Sequence, residues 1–386
     1  MKEHEHETDR IPAGRKSTRR RYGVFTLVLA LIAAVLGFST PTIGAQDARV
    51  VVEEGESIQA AIDAAAPGTR IIVRGDHVEN LVIQKDGIWL YGEDATLRPA
   101  ETGTGSACAP DPSVPIHLIC VTPDTDGGPA EPDEHLAGFT ITGFTLEDAP
   151  GDAIATVFVN DVRILRNTVN NASCDGIFVI FADGINIRRN DVDGSGCSGI
   201  NVNAGANARI VRNWTNDSTF SGITVNDVTE TVIRRNIAME NCLGISVADG
   251  NDGGYGIGRP EFPGDDARII ANTANNNNKT CPFGEGVVGA SGIAIGGVDN
   301  VVIKANTTDN NTTTEETITI GGIFVNDFPN FDGSLSPTTN VSVIANRAVG
   351  NSTAAGPVDV LLVSESILDV RGNHCDVSAP DSSVCD

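Results

Sequence analysis

Apolar and polar residues alternate along most of this chain in short stretches that recur at a nearly constant interval. Six Gly-Ile dipeptides mark one recurrent position, and a branched apolar residue stands two places after each Ile. The dipeptides are Gly176-Ile177, Gly199-Ile200, Gly222-Ile223, Gly244-Ile245, Gly292-Ile293 and Gly322-Ile323. Alternation with a period of two predicts strands that bury one face.

A second apolar stretch follows each dipeptide and ends at an Asn. The interval from Gly176 to Asn190 is repeated without change in three later coils. The first Asn residues are also equally spaced, at Asn167, Asn190, Asn213 and Asn236. A period of about 23 residues predicts a solenoid, because equal coils stack with their strands about 4.8 Å apart. We expect the Asn side chains to form an internal ladder, each amide bonding to those one coil above and below.

These repeats resemble the right-handed parallel β-helix repeat family of the pectin-lyase-like superfamily, over about residues 50 to 375. Residues 56–62 look like the capping helix of such proteins, and residues 67–73 look like their first strand. The predicted fold is therefore all-β, a single-stranded right-handed parallel β-helix (solenoid) with a short N-terminal capping helix. Lyases, hydrolases, epimerases and non-enzymes share this fold, so the resemblance predicts an architecture and not an activity.

The start of the chain predicts export. A basic, polar lead precedes an apolar run from Val24 to Phe38, and small residues follow as far as Ala45. Residues 18–22 resemble a twin-arginine signal, and a general secretory route stays open. We predict an export signal peptide over residues 1–45 and a β-helix domain over residues 46–386. The mature protein is expected to be secreted or at the cell surface, monomeric and free of the membrane, the alternative being an uncleaved anchor.

The net charge and the histidines limit the classes of partner and metal site that we expect. The 386 residues carry 26 Lys and Arg against 51 Asp and Glu, a net charge of −25. Such an excess disfavours nucleic acid and anionic membranes as partners. His77, His117, His135 and His374 show no ligand-like spacing, so no transition-metal site is expected.

All eight cysteines lie beyond the predicted signal, which favours four disulfides in an exported chain. Cys174 and Cys197 hold the same place in adjacent coils, so stacking alone brings them within bridging range. Proximity favours three further pairs: Cys242 with Cys281, Cys108 with Cys120, and Cys375 with Cys385.

Insertions on both sides of the Gly-Ile strand predict a groove. Residues 249–266 and 327–339 interrupt the corner after this strand, and about residues 274–290 and 308–320 interrupt the corner before it. Amides, hydroxyls and aromatic rings at the outward positions and on the insertion suit sugar hydroxyls. The predicted substrate-binding residues are Phe178, Asn201, Asn203, Thr224, Asn226, Ser246, Tyr255, Phe324, Asn326 and Asp327. The small residues Gly296 and Gly297 would form the groove floor.

Two carboxylates on this face are the candidate catalytic pair. Asp227 and Asp249 occupy equivalent positions in adjacent coils, so their backbones should lie about 5 Å apart. Carboxylates that close repel and need a shared proton or a cation. They are candidates for acid and base catalysis or for a calcium site, with Arg259 as a possible base or substrate clamp. The alternative is that these Asp residues serve only the backbone geometry of turns.

Arginines gather on the second strand. Arg166, Arg189, Arg212 and Arg235 each directly precede a ladder Asn and should stack in a column. Such a stripe could bind an acidic polysaccharide, or it could pair with neighbouring acidic side chains.

The predicted partner is thus a polysaccharide or cell-surface glycan, with calcium as the one candidate cofactor. The protein would be a polysaccharide lyase, glycoside hydrolase or epimerase, or else a non-catalytic binding or structural protein. The Asp-Pro-His motif of mannuronan epimerases and the Gly-His-Gly motif of polygalacturonases are both missing from the sequence, so no catalytic class carries over.

Overall fold

A computed structural model describes residues 49–100, 103, 107–108, 114–124, 134–249, 264–284, 286–329, 334–364 and 366–386. The predicted export signal lies outside the described residues. Residues Asp47–Asp386 form one compact unit. In the part of the chain that the structure describes, no helix is long and apolar enough to cross a membrane.

The described chain is almost entirely short strands. The first eighteen are β1 (Arg49–Val52), β2 (Arg70–Val78), β3 (Leu81–Ile83), β4 (Ile88–Arg98), β5 (Ile119–Val121), β6 (Leu136–Glu147), β7 (Ile154–Val157), β8 (Val159–Leu165), β9 (Thr168–Asn170), β10 (Ile177–Asp183), β11 (Asn186–Arg188), β12 (Asp191–Asp193), β13 (Ile200–Ala206), β14 (Arg209–Val211), β15 (Trp214–Asn216), β16 (Ser221–Thr229), β17 (Val232–Arg234) and β18 (Ile237–Met239). The others are β19 (Leu243–Ala248), β20 (Arg268–Ile270), β21 (Thr273–Asn275), β22 (Thr280–Phe283), β23 (Gly286–Gly289), β24 (Ser291–Gly296), β25 (Val302–Lys304), β26 (Ile323–Asn326), β27 (Phe328–Pro329), β28 (Leu335–Ser336), β29 (Val341–Ile344), β30 (Arg347–Ala348), β31 (Ser352–Thr353), β32 (Gly356–Pro357), β33 (Val360–Leu362), β34 (Ile367–Arg371), β35 (His374–Cys375) and β36 (Ser378–Ala379). Helix α1 spans Ile58–Ala64, and a 3₁₀ helix spans Ser382–Val384.

Two long parallel sheets run the length of the molecule. An eleven-stranded sheet contains the Gly-Ile strands in the order β3, β5, β7, β10, β13, β16, β19, β24, β26, β33 and β36. A seventeen-stranded sheet contains the remaining coil strands, among them β8, β11, β14, β17, β20 and β25. From β7 to β21 each coil adds one strand to the eleven-stranded sheet and two to the seventeen-stranded sheet, and the predicted right-handed parallel β-helix is confirmed.

Strict register aligns equivalent residues in columns. Ile177 pairs with Ile200, which pairs with Ile223, and the column continues through the later coils. These Ile side chains are fully buried, and so are the branched residues two places on, such as Val202. The core is thus a stack of branched side chains, each covered by the one above it.

The predicted capping helix is present at the N-terminal end. Ser57 begins α1, and its hydroxyl accepts a hydrogen bond from the Ala60 amide at 3.0 Å. Ile58 and Ile62 face inward and are buried, which closes the open end of the core. At the other end of the helix, the Lys85 ammonium donates to three backbone carbonyls, among them that of Ile62 at 3.1 Å.

The predicted asparagine ladder is confirmed, and it extends further than expected. In the centre, Asn190 Nδ2 donates to Asn213 Oδ1 at 3.0 Å and to the Ile164 carbonyl of the coil before at 2.8 Å. The Asn190 backbone N–H also donates to Asn213 Oδ1, so every polar atom of these buried amides is used. The ladder runs through Asn167, Asn190, Asn213, Asn236, Asn272, Asn306, Asn346 and Asn373.

A second ladder, which the sequence analysis missed, stabilises the next corner. It joins Asn241, Asn277, Asn311 and Asn351 through side-chain bonds of about the same length, and it ends on the Asp359 carboxylate. The sequence signal was an Asn five places after the first ladder position, present only from Asn241 onward.

The four disulfides are those that stacking and proximity favoured. They join Cys108–Cys120, Cys174–Cys197, Cys242–Cys281 and Cys375–Cys385. The Cα atoms of Cys174 and Cys197 are 4.5 Å apart, as expected for equivalent positions in adjacent coils.

We predict that Asn213→Ala destabilises the protein strongly. The change leaves the Asn190 amide without its acceptor and the Ile187 carbonyl without its donor, both in the buried interior. Unsatisfied buried groups of this kind cost about 1–3 kcal/mol each, so we expect a loss of about 2–5 kcal/mol. Guanidinium unfolding followed by circular dichroism measures it.

Asn216→Ala is the matched control in the same coil, because the half-buried Asn216 makes one side-chain bond, to Asp193 at 2.8 Å. We expect this control to cost about 1 kcal/mol or less. Equal losses in the two variants would mean that the ladder contributes nothing special to stability.

Candidate functional site

The outer face of the eleven-stranded sheet carries the predicted binding residues in two columns. Register places Phe178, Asn201, Thr224, Ser246, Ala294 and Phe324 in the first column. It places Ile180, Asn203, Asn226, Ala248, Gly296 and Asn326 in the second. The structure therefore brings most of the predicted binding residues onto one face.

Their exposure differs. Ser246, Asn226 and Asn326 are half-buried and reachable, whereas Thr224 is 3% exposed and its hydroxyl contacts that of Ser198 at 3.1 Å. Phe324 is buried. The half-buried Phe178 forms part of a hydrophobic cluster with Ile180 and Phe181. Tyr255 and Arg259 lie outside the described residues.

Asn201 and Asn203 are engaged in an internal chain of amides. Asn226 Nδ2 donates to Asn203 Oδ1, Asn203 Nδ2 donates to Asn201 Oδ1, and Asn201 Nδ2 donates to Asp175 Oδ2, at 2.8–3.0 Å. Asn201 and Asn203 are 5% and 2% exposed, so they serve the shape of the face rather than presenting free amides. Asp175 Oδ2 is the last acceptor, and each amide of the chain donates toward it.

The first amide of this chain, that of Asn226, lies next to the candidate acidic pair Asp227 and Asp249. Asp227 and Asp249 follow Asn226 and Ala248, which are paired in register. Their side chains are hydrogen-bonded to each other. Asp227 and Asp249 are 9% and 8% exposed.

Burial raises the pKa of Asp249, while hydrogen bonds from the Gly264 backbone amide and from Asp227 oppose that rise. Two carboxyl oxygens at hydrogen-bond distance need a proton between them, since two anions would repel. The pair is therefore arranged to hold one proton.

The predicted groove floor is covered by an aromatic ring. Gly297 has φ of +76°, and a Cβ there would lie 2.1 Å from the Asp249 carbonyl oxygen, so only Gly fits. A Cβ on Gly296 would lie 3.1 Å from the ring of Phe328, which therefore packs directly against this glycine. The small residues make room for Phe328 and not for an open floor. Beyond them, Asp327 accepts a hydrogen bond from the Thr338 amide at 2.9 Å.

Loops from opposite edges of the eleven-stranded sheet meet near Gly296 and Phe328. Hairpin β22–β23 rises from the corner before β24, and hairpin β27–β28 rises from the corner after β26. The ring centroid of Phe283 lies 6.4 Å from that of Phe328 and 6.4 Å from that of Phe220. Walls are thus present as predicted, but aromatic contacts join them where an open groove was expected.

A buried titratable cluster on the same face escaped the sequence analysis. His117, Asp152 and Asp175 each stand two places before a buried Ile of successive strands β5, β7 and β10. The Nδ1 atom of His117 lies 3.2 Å from Asp152 Oδ2, and Asp152 Oδ1 accepts from the Asp175 backbone amide at 2.8 Å. The contact of His117 could not be predicted, because an insertion lengthens its coil and hides the spacing.

Asp175 is the most strongly perturbed acid of this cluster. Burial, and then the nearby charge of Asp152, raise its pKa to about 8, although hydrogen bonds from Asn201 and the Ser198 amide act in the opposite direction. The carboxyl therefore holds a proton at neutral pH.

Metal ligation has limited support among the described residues. The one group of His, Cys, Asp and Glu side chains close enough for an ion is Cys174, Asp175 and Cys197. Its two sulfurs form a disulfide and are not available as thiolates. Calcium at Asp227 and Asp249 would use two carboxylates and would have to displace their shared proton.

Comparisons with known proteins agree with the fold. A family model described as "Right handed beta helix region" matches residues 132–254. The family 28 exopolygalacturonase of Yersinia enterocolitica is 12% identical, with 87% of this chain and 76% of that chain covered and a TM-score of 0.53. The A-module of mannuronan C-5 epimerase AlgE4 from Azotobacter vinelandii is 15% identical, with 84% and 93% covered and a TM-score of 0.46. No curated protein sequence matches the chain. At these identities the likeness shows the fold alone.

We predict that Asp175 makes stability fall as pH rises. The unfolded carboxyl loses its proton near its ordinary value of 3.8, whereas the folded one keeps it up to about 8. Between these values unfolding releases a proton, so the free energy of unfolding falls by up to about 1.4 kcal/mol per pH unit and levels off above pH 8. Asp175→Asn removes this term, and urea unfolding from pH 5 to 9 measures the difference.

Asp183→Asn is the control on the same strand, because Asp183 is exposed and accepts a hydrogen bond from Asn207. Its pH dependence should follow that of the wild type. Parallel curves for the wild type and Asp175→Asn would show that the buried carboxyl is ionised throughout.

Proposed function

We propose that this right-handed parallel β-helix is an extracytoplasmic enzyme that binds a polysaccharide across the outer face of its eleven-stranded sheet and cleaves it at Asp227 and Asp249. The observation that carries the proposal is the hydrogen bond between these two largely buried carboxyls. Perturbed, partly enclosed acids of this kind are typical of sites where protons are moved.

The closeness of the pair favours one reaction class over another. Glycoside hydrolases hold their two carboxyls about 5–5.5 Å apart for retention and about 6.5–9.5 Å apart for inversion, one on each side of the scissile bond. Hydrogen-bonded carboxyl oxygens lie about 2.5–3.0 Å apart and face the substrate from one side. A same-side pair suits β-elimination at a uronic acid residue, in which a proton is removed and another is delivered on the same side of the sugar ring.

In this step the Asp249 carboxylate, which accepts the hydrogen bond from Asp227, takes the proton from C5 of the uronate. The electron pair of the C5–H bond forms a C4–C5 double bond, and the bond between C4 and the bridging oxygen breaks. Asp227, which holds the shared proton, gives it to the leaving oxygen, and the pKa of Asp249, raised by burial, makes that carboxylate a stronger base. The carboxyl pair gains one proton and loses another, so its net charge is unchanged. Proton exchange with water then restores the starting arrangement.

Neighbouring side chains suit a sugar polymer. Asn226, Ser246 and Asn326 are half-buried on the same face and offer amide and hydroxyl groups to sugar hydroxyls. Tyr255 and Arg259 remain predicted contributors from the insertion after β19. The solved structures of similar fold include an exopolygalacturonase, which supports a polysaccharide as the class of substrate.

Four disulfides support an oxidising compartment, in agreement with the predicted export signal. A polysaccharide outside the cytoplasm is therefore the partner that the chain would meet.

The test is turnover on a panel of neutral and acidic polysaccharides, assayed for reducing ends and for absorbance of the unsaturated product. We expect product absorbance on at least one uronic acid polymer. Asp227→Asn and Asp249→Asn should each lower kcat by about 10²–10⁴-fold, the usual contribution of a positioned acid or base. Parallel assays with calcium and with chelator test whether calcium is needed at the pair.

Asp94→Asn is the matched control. Asp94 is exposed, and its φ of 54° equals that of Asp227, so the same substitution is made in the same backbone conformation. Reducing ends without unsaturated product would overturn elimination in favour of hydrolysis. Binding without turnover on any polymer would show a non-catalytic binding protein.

A further inference from the structure

Ten cations lie on the outer face of the seventeen-stranded sheet, away from the carboxyl pair. Four of them, Arg166, Arg189, Arg212 and Arg235, stack one per coil and form what we call the arginine column. Six more lie beside it on β8, β11, β14, β17, β20 and β25 and complete what we call the basic surface: Arg163, Arg188, Arg209, Arg234, Arg268 and Lys304.

The fold does not require arginine in the column. Each of the four has a φ between 55° and 60°, a conformation that favours Gly and Asn. In the three following coils the same position is Ala271, Ala305 and Ala345, with φ between 52° and 56° and the same backbone hydrogen bond. A small residue therefore satisfies the backbone, and the arginine side chains are free to serve another purpose.

The basic surface is not neutralised internally. Within the described residues, none of its ten side chains forms an ion pair, although the chain carries 51 acidic residues. Two arginines elsewhere on the same sheet are paired: Arg74 with Glu53 and Glu93, and Arg98 with Glu147. The ten are all exposed, so their charges face solvent.

Exposed apolar side chains border the column. Trp214 is 37% exposed two residues after Arg212, and Ile237 is 41% exposed two residues after Arg235. The two are register partners, so they lie side by side in adjacent coils. An exposed indole ring near a row of guanidinium groups matches a polymer of sugar rings that carry acidic groups, since sugar rings stack on aromatic rings and the acids pair with arginine.

We propose that the basic surface binds an acidic polysaccharide, which lies along the arginine column with its sugar rings on Trp214. Nucleic acid and anionic lipid surfaces fit less well, because they carry a higher charge density than a polymer with one acid per sugar and are repelled more strongly by the net charge of −25. The site is separate from the carboxyl pair, and its existence does not depend on the proposed elimination.

The experiment measures the affinity of the mature full-length domain for polygalacturonate and for its fully methyl-esterified form, which keeps the backbone and loses the charge. Arg189→Gln/Arg212→Gln should weaken polygalacturonate binding about tenfold, as expected for two exposed charge contacts, and Arg189→Lys/Arg212→Lys should retain most of it. Trp214→Ala should weaken binding as well. Added salt should lower the affinity of the wild type.

Arg98→Gln/Arg347→Gln is the matched control, since it removes the same charge from arginines that are already paired with Glu147 and Asp309. It should bind as the wild type does. Equal weakening in the control and the test pair, or undiminished binding of the methyl-esterified polymer, would overturn the proposal. Tighter binding of duplex DNA or of phosphatidylserine vesicles would do the same, and thermal unfolding checks that each variant is folded.

Discussion

The hydrogen bond between the side-chain amides of successive coils is the constraint on which this protein is built. Each ladder Asn donates one hydrogen to the next amide and the other to a carbonyl of the coil before, so three coils are held at once. A buried amide cannot be satisfied otherwise, and the spacing from coil to coil is therefore fixed. Residues that hold the same place in different coils must then stack.

Insertions are tolerated only where they leave this ladder intact. Asn236 and Asn272 are 36 residues apart in sequence, and Asn306 and Asn346 are 40 apart, yet both pairs keep a bond of 3.0 Å. The extra residues leave the stack at its corners and include the hairpins that carry Phe283 and Phe328. Irregular loops thus surround a regular face, which is how a rigid scaffold presents a site.

The regular part could be predicted from the sequence because its signal is local and periodic. The Gly-Ile strands, the first ladder and the Cys174–Cys197 pair all follow from the return of equivalent residues once per coil, and the capping helix follows from the apolar spacing of helical turns. Equivalent places in adjacent coils also brought Asp227 and Asp249 together.

What escaped prediction depends on contacts between segments of irregular length. The partner of His117 is hidden by the 35 residues that separate it from Asp152, and the contact between Phe283 and Phe328 depends on how two loops fold. The direction of the amide chain from Asn226 to Asp175 depends on which groups are buried, and spacing alone does not reveal burial.

Stacking also brings like charges close together, and their electrostatic repulsion is relieved differently for the acids and for the arginines. Burial raises the pKa of Asp249, and burial and the neighbouring charge of Asp152 raise the pKa of Asp175, so that a carboxyl can take up a proton and relieve the repulsion. Arginine has no such escape, because guanidinium groups stay protonated in proteins. The four arginines of the column repeat once per coil, and within the described residues no carboxylate forms an ion pair with them. The stacking that brings the acidic pair together therefore also makes the arginine column a surface suited to an external acidic partner.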